Sequence, residues 1–211
     1  MNKLSKSILF IFTSTLVFGA LLNGTCFGST NGNGEYWQTV GFDYDMNKDW
    51  KITVREELRF GKSGGDPYLH NYDLGLVYKS FGDWIDVGLN FKKEFEKDSS
   101  GKYRAENRPN LNIILKGKLF DLDVSDRLRL EYRDLETKDD VWRFRNKTVF
   151  NLPFKLTRFN LQPFIGDEIF INLGENNINQ NRFFSGLSFK LSPNIKTSIY
   201  YMYKSSKQSG G

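Results

Sequence analysis

Between Tyr36 and Tyr203 the chain alternates apolar and polar side chains, and this period of two constrains the fold more than any other feature of the sequence. In WKITVREELRF, residues 50–60, Trp50, Ile52, Val54, Leu58 and Phe60 fall on one side of an extended chain. Lys51, Thr53, Arg55, Glu57 and Arg59 fall on the other, and only Glu56 breaks the order. Such a segment makes a strand with one apolar and one charged face. What has to be decided is whether the charged ladder meets bulk water or the inside of a barrel.

The same pattern repeats along the chain and predicts ten strands, at about 36–45, 50–60, 68–79, 84–96, 104–117, 121–134, 141–152, 157–172, 181–191 and 195–205. Short turns (MNKD, SFGD, KLF, PFKL, SPN) alternate with longer polar loops (GKSGGDP, KDSSGKY, LETKDD, GENNINQ, KSSKQSGG). Short turns at one end and long loops at the other are the layout of an outer-membrane barrel. No linker, repeat or low-complexity tract divides the chain, and 211 residues suit one domain. Aromatic residues at 16 % and 19 glycines, with only 39 % hydrophobic residues, favour many strands over packed helices.

Aromatics gather near strand ends, as Trp37, Trp50, Tyr68, Tyr78, Trp84, Tyr132, Trp142 and Phe150, where an interfacial girdle would sit. A soluble, lipocalin-like binding barrel would turn the apolar faces inward and need those end aromatics buried as well. Lipid-facing apolar sides explain the girdle and the loop asymmetry together. The expected fold is therefore an antiparallel up-and-down transmembrane β-barrel.

The N-terminus agrees. Lys3 and Lys6 precede an apolar stretch, Ile8 to Leu22, followed by NGTCFGS, which is the three-part pattern of a secretory signal. Cleavage is expected after Gly28, giving a signal peptide over 1–28 and one barrel domain over 29–211. Cys26, the one cysteine, would leave with it, and Asn23 three places earlier argues against a lipoprotein. The formal charge of +5 falls to +3 when Lys3 and Lys6 are lost, and no basic run or motif ties it to nucleic acid. The expected location is the outer membrane of a Gram-negative bacterium.

Folding the hairpins brings charges together on the inward side. Across LETKDD, Glu131 meets Arg145, Arg129 meets Lys147 and Arg133 meets Arg143. Across KDSSGKY, Glu94 meets Arg108 and Asp86 meets Lys116; elsewhere Arg55 meets Asp73 and Glu168 meets Arg182. The inward basic ladder is Lys51, Arg55, Arg59, Arg108, Arg127, Arg129, Arg133, Arg143, Arg145, Lys147 and Arg182, and its ion-pair partners are Glu57, Asp73, Asp86, Glu94, Glu131 and Glu168. Cations outnumber acids, so an electropositive lumen is expected.

RLRLEYRDLETKDDVWRFRNK, PFIGDEIFINL and the closing YMYKSSKQ resemble the bacterial family catalogued as domain of unknown function 2490, whose members are regarded as outer-membrane β-barrels. The resemblance runs from about Tyr36 to the end. It implies the barrel but no activity, cofactor or catalytic residue, because none is established for that family. Such barrels end in a strand closing on an aromatic residue, whereas this chain stops at KQSGG. A C-terminal closing strand is therefore expected to be missing. With ten strands and one absent, the N-terminus falls outside unless residues 29–36 thread the lumen.

Enzymatic readings find little support. His70, the one histidine, lies among interfacial aromatics with no serine motif beside it. Asp167 and Glu168 are adjacent on a strand and point to opposite faces, which argues against a protease-like acid pair. Asp121, Asp123 and Asp126, or Glu175 with Asn176, Asn177 and Asn179, lack calcium-loop spacing and read as polar turns. Lys62, Lys102, Arg104 and Lys138 could meet lipopolysaccharide phosphates, a minor expectation beside the lipid itself. No cofactor or metal is expected. Two function classes lead: a narrow pore preferring small anionic solutes, lined by the Arg and Lys ladder, and a structural or interaction barrel whose lumen is closed by its own ion pairs.

Overall fold

The computed structural model describes residues 25–30, 33–61, 65–137, 139–174, 177–192 and 195–206. The expected signal up to residue 24, and Lys62, Lys138, Glu175 and Asn176, lie outside the described residues. The strands are β1 Thr25–Thr30, β2 Asn33–Asp45, β3 Trp50–Phe60, β4 Leu69–Tyr78, β5 Ile85–Lys97, β6 Tyr103–Leu119, β7 Leu122–Leu135, β8 Val141–Asn151, β9 Gln162–Asn172, β10 Asn177–Ser192 and β11 Ile195–Ser206. Each is hydrogen-bonded to its sequence neighbour, and β1 pairs with β11 to close the barrel.

The alternation thus does produce an all-β, up-and-down barrel, but with eleven strands rather than ten. The additional strand, TCFGST, is six residues long and overlaps the segment read as a signal, so the expected cut after Gly28 falls inside β1. Among the described residues the barrel closes through this strand, which pairs with β11. Because the strand number is odd, β1 and β11 run parallel, with Phe27 level with Tyr201, while all other pairs are antiparallel. The described residues of 29–36 lie in strands of the wall rather than threading the lumen: Ser29 and Thr30 end β1, and β2 begins at Asn33.

Two strand starts moved by four residues or more, that of β10, which begins at Asn177 rather than 181, and that of β9. The strand expected from 157 starts at Gln162, because Leu156 and Leu161 clasp a tight turn through paired backbone bonds of 2.7 and 2.9 Å. Thr157 and Asn160 take left-handed backbone there, at φ 60° and 53°, and such residues cannot continue a strand.

The distribution of side chains is the reverse of a soluble core. Tyr72, Leu74 and Leu76 of β4, Leu89 and Phe91 of β5, Leu111 of β6, Leu130 of β7 and Ile199, Tyr201 and Tyr203 of β11 are all exposed on the outside. Asp86, Glu94, Glu106, Arg108, Asn110, Asn112, Arg129, Glu131, Arg143, Arg145 and Glu168 are buried inside. An aromatic collar rings each end of the wall. At the short-turn end Trp50 meets Tyr78 with ring centroids 4.9 Å apart, and Tyr78 meets Phe81 at 4.9 Å. At the long-loop end Tyr132 meets Trp142 at 5.1 Å and Tyr36 meets Phe60 at 5.8 Å.

Near the seam the interior is apolar, where Cys26, Trp37, Phe164, Phe184 and Met202 pack together. Gly166 on β9 makes room for this cluster. A Cβ there would run into the Phe184 ring and come within 2.7 Å of the Thr148 carbonyl oxygen.

Candidate functional site: the charged lumen

The inward positions place every member of the expected basic ladder on the lumen side, since strand alternation leaves no other choice once one face is fixed. Which acid meets which base is a matter of register, and here the hairpins differ from expectation. Between β7 and β8, Glu131 is level with Arg143, Arg129 with Arg145 and Arg127 with Lys147; Arg133 faces Val141. Between β5 and β6, Glu94 is level with Glu106 and Lys92 with Arg108, and Asp86 faces Ile114. Both hairpins sit two residues from the expected pairing, a slip that conserves facing and so leaves no trace in the hydropathy pattern. Arg55 level with Asp73 and Glu168 level with Arg182 hold as expected.

Long side chains recover several expected partners on the diagonal. Arg108 Nη1 donates to Glu94 at 3.1 Å, and Lys116 Nζ lies 2.8 Å from Asp86. Arg55, in contrast, pairs with Asp43 of β2 rather than with Asp73.

Two clusters of ion pairs lie on the lumen side. On the β3–β7 side, Arg59 Nε donates to Glu57 at 2.9 Å, Asn71 Nδ2 donates to Glu57 at 3.2 Å, and Arg108 bridges Glu94 and Glu106. Arg133 Nε donates to the same Glu106 at 2.6 Å. Glu106 was absent from the expected acids, although it shares the parity of Arg108 in RAENRPN and was readable by the same alternation. Asp43, beside Arg55 and Lys51, is a second such acid. The lumen is accordingly less electropositive than the ladder alone suggested.

On the β7–β10 side, Glu131 is completely buried, at 0 % exposure, and receives Arg143 and Arg145, with Arg129 at 4.0 Å. Arg145 links it to Glu168, which also receives Arg127 at 2.7 Å and stands 3.6 Å from Arg182. A chain of hydrogen bonds runs along the wall from β7 to β4. Arg129 Nε donates to Asn112 at 2.6 Å, Asn112 Nδ2 donates to Asn90 at 2.9 Å, and Asn90 Nδ2 donates to Asp73 at 2.6 Å.

A charge taken out of water is tolerated only when paired and hydrogen-bonded, and removing one partner of a buried pair costs about 3–5 kcal/mol. The network therefore ties neighbouring strands of the wall together through buried ion pairs. Guanidinium groups also lie over inward rings: Arg59 is 3.6 Å from the Trp37 centroid and Arg145 is 4.5 Å from that of Phe170.

Other candidates fall outside the lumen. His70 stacks on Phe95 at 4.7 Å and meets Tyr103 edge-on at 5.3 Å, within the outer aromatic collar. Asp167 faces outward and accepts from Asn181 at 2.9 Å, so it and Glu168 do point to opposite sides. Asp123 lies 3.6 Å from Lys118, and Asp126 accepts from Asn146 at 2.7 Å and Thr148 at 2.8 Å. In the loop between β5 and β6, Asp98 accepts from Ser100 Oγ at 2.6 Å and pairs with Arg104 at 2.8 Å, and Arg104 reaches Glu136 at 3.7 Å. The Ser100 hydroxyl and the Arg104 guanidinium hold the Asp98 carboxyl well below the ordinary range.

Comparison with known proteins gives one match, to the family model described as Protein of unknown function (DUF2490), over residues 34–211. No curated protein and no solved structure matches.

Proposed function

The chain belongs to the DUF2490 family of proteins of unknown function, and from that premise we propose that it is an outer-membrane β-barrel whose lumen is held shut by its own ion pairs. The observation that carries this reading is Glu131: a carboxylate with no exposed surface, gripped by Arg143 and Arg145 in the middle of the polar interior. A conducting pore keeps its ionised groups in contact with water, whereas here the acids and bases neutralise one another.

The apolar exterior between two aromatic collars supports the membrane placement, because strands satisfy all their backbone groups within a closed barrel and need water on neither face. The export signal read from Lys3 to Leu22 supports the same location. The role is structural or interactive: a rigid barrel that presents its long loops at one membrane surface, with outer-membrane lipid as its constant partner. It has no catalytic function in this reading.

The narrow anion-preferring pore is the second reading, favoured by the surplus of cations around Glu168. It requires the layer at Glu131 to part. Refolding into detergent with a heat-dependent shift in gel mobility and β-rich circular dichroism is the result expected for the barrel. A folded, monodisperse protein without detergent would replace it by a soluble barrel.

A further inference from the structure

The cations around Glu168 are more numerous than one carboxylate can satisfy. Arg127 donates Nη2 to Glu168 at 2.7 Å, Arg145 donates Nη2 to it at 2.7 Å, and Arg182 lies 3.6 Å away. Lys147 is level with Glu168 on the neighbouring strand. Its ammonium stands over the Phe184 ring, 4.7 Å from the centroid, and makes no ion pair with any described residue. Two donors are left over as well: Arg127 Nε and Arg145 Nε are buried and without a hydrogen-bond partner. The Arg145 side chain is itself only 8 % exposed, with Nη1 committed to Glu131 and Nη2 to Glu168, so its Nε is fixed in direction.

We propose that this part of the lumen is a binding site for one small oxyanion, held by Arg127, Arg145, Lys147 and Arg182 beside Glu168. A buried N–H with no acceptor is unfavourable, and two of them among excess positive charge call for a group that brings both negative charge and several acceptor oxygens. A tetrahedral phosphate or sulfate has that chemistry: oxygens for the two Nε donors, and a contact charge for Lys147, whose ammonium lies over the Phe184 ring rather than in an ion pair with a described residue. Entry is from the short-turn end. Arg127 lies nearer that end of β7 than Glu131 does, and its side chain is 24 % exposed, against 8 % for Arg145. The site is distinct from an anion pathway, because the Glu131 layer lies on its long-loop side and remains closed with the anion bound.

The test is isothermal titration of the full chain, folded in detergent, with inorganic phosphate, sulfate and acetate as separate probes. Phosphate and sulfate should bind saturably at one site, with acetate at least tenfold weaker. Lys147→Met should weaken phosphate at least tenfold, and so should Arg127→Gln. Lys118→Gln, on the rim of the short-turn end, should leave the binding constant unchanged. Heat-dependent gel mobility shows that each variant is folded, and Lys147→Met keeps every ion pair of Glu168. Absence of saturable binding by the folded protein, or binding indifferent to both lumen substitutions, would overturn the proposal. Equal binding of acetate would overturn its tetrahedral form. None of these outcomes depends on whether the barrel conducts.

Discussion

Asp73 on β4 and Arg129 on β7 stand 3.8 Å apart, three strands removed from each other around the wall. Contact between strands that are not neighbours means that these side chains reach inward over the lumen at this level. The pair is also braced along the wall through Asn112 and Asn90. Asp73→Leu or Arg129→Leu alone strands a buried charge and should destabilise the barrel by about 3–5 kcal/mol. The double substitution should cost clearly less than the sum of the two, as read from urea unfolding in detergent. Additive losses would mean that the two residues do not act as a pair.

Outward and inward positions should respond differently to charge. Leu89, exposed on the outer face of β5, is expected to lose about 2–4 kcal/mol on substitution by Arg if it lies at mid-bilayer. Ser125 of β7 shares the inward parity of Arg127 and Arg129, and Ser125→Arg should be milder. The measurement is the fraction of each variant that folds into lipid vesicles. Equal yields for the two would contradict the membrane-facing assignment.

Gly166→Ala tests the tight side of the seam cluster. The added methyl meets the Phe184 ring, which can turn, and the Thr148 carbonyl at 2.7 Å, which belongs to the wall and cannot. Overpacking of this kind costs about 1–3 kcal/mol. Unfolding in urea should register that loss, and a variant as stable as the parent would show that β8 and β9 have slack here.

Acid should spare the β5–β6 loop for longer than a free carboxylate would allow. Asp98 has its folded-state pKa depressed, first by the Ser100 hydroxyl and then by Arg104, so its contribution is present above the ordinary carboxyl range and is lost only as pH falls through the lower folded value. Amide protection at Ser100 and Lys102, which donate backbone N–H groups to Asp98 at 2.8 and 3.1 Å, should therefore persist at about pH 4. Asp98→Asn should lose it across the whole range. Loss of protection in the parent at that pH would contradict the assignment.

Facing was the legible part of this fold. Trp50, Ile52 and Val54 against Lys51, Thr53 and Arg55 fix the inside and outside of β3 without any structure, and the parity of each later strand follows the same way. Register was not legible in two hairpins, because a shift of two residues keeps every side chain on its face. Glu131 opposite Arg143 and Glu131 opposite Arg145 therefore look alike in sequence. Glu106 could have been found by parity. β1 could not: TCFGST follows an apolar export-like segment and is too short to show a period. The ion pairs between strands that are not neighbours depended on side-chain reach, notably that of Arg129 to Asp73 and of Arg127 past β8 to Glu168, which no strand pattern encodes.

Planar-bilayer recording of the folded, full-length protein tests the central claim, that the charged lumen is shut by its own pairs. The parent should show no steady conductance. Glu131→Gln, which removes the carboxylate shared by Arg143 and Arg145, should open a conductance that favours anions, since the freed guanidinium groups then line the passage. A steady, ohmic conductance in the parent protein would contradict the account.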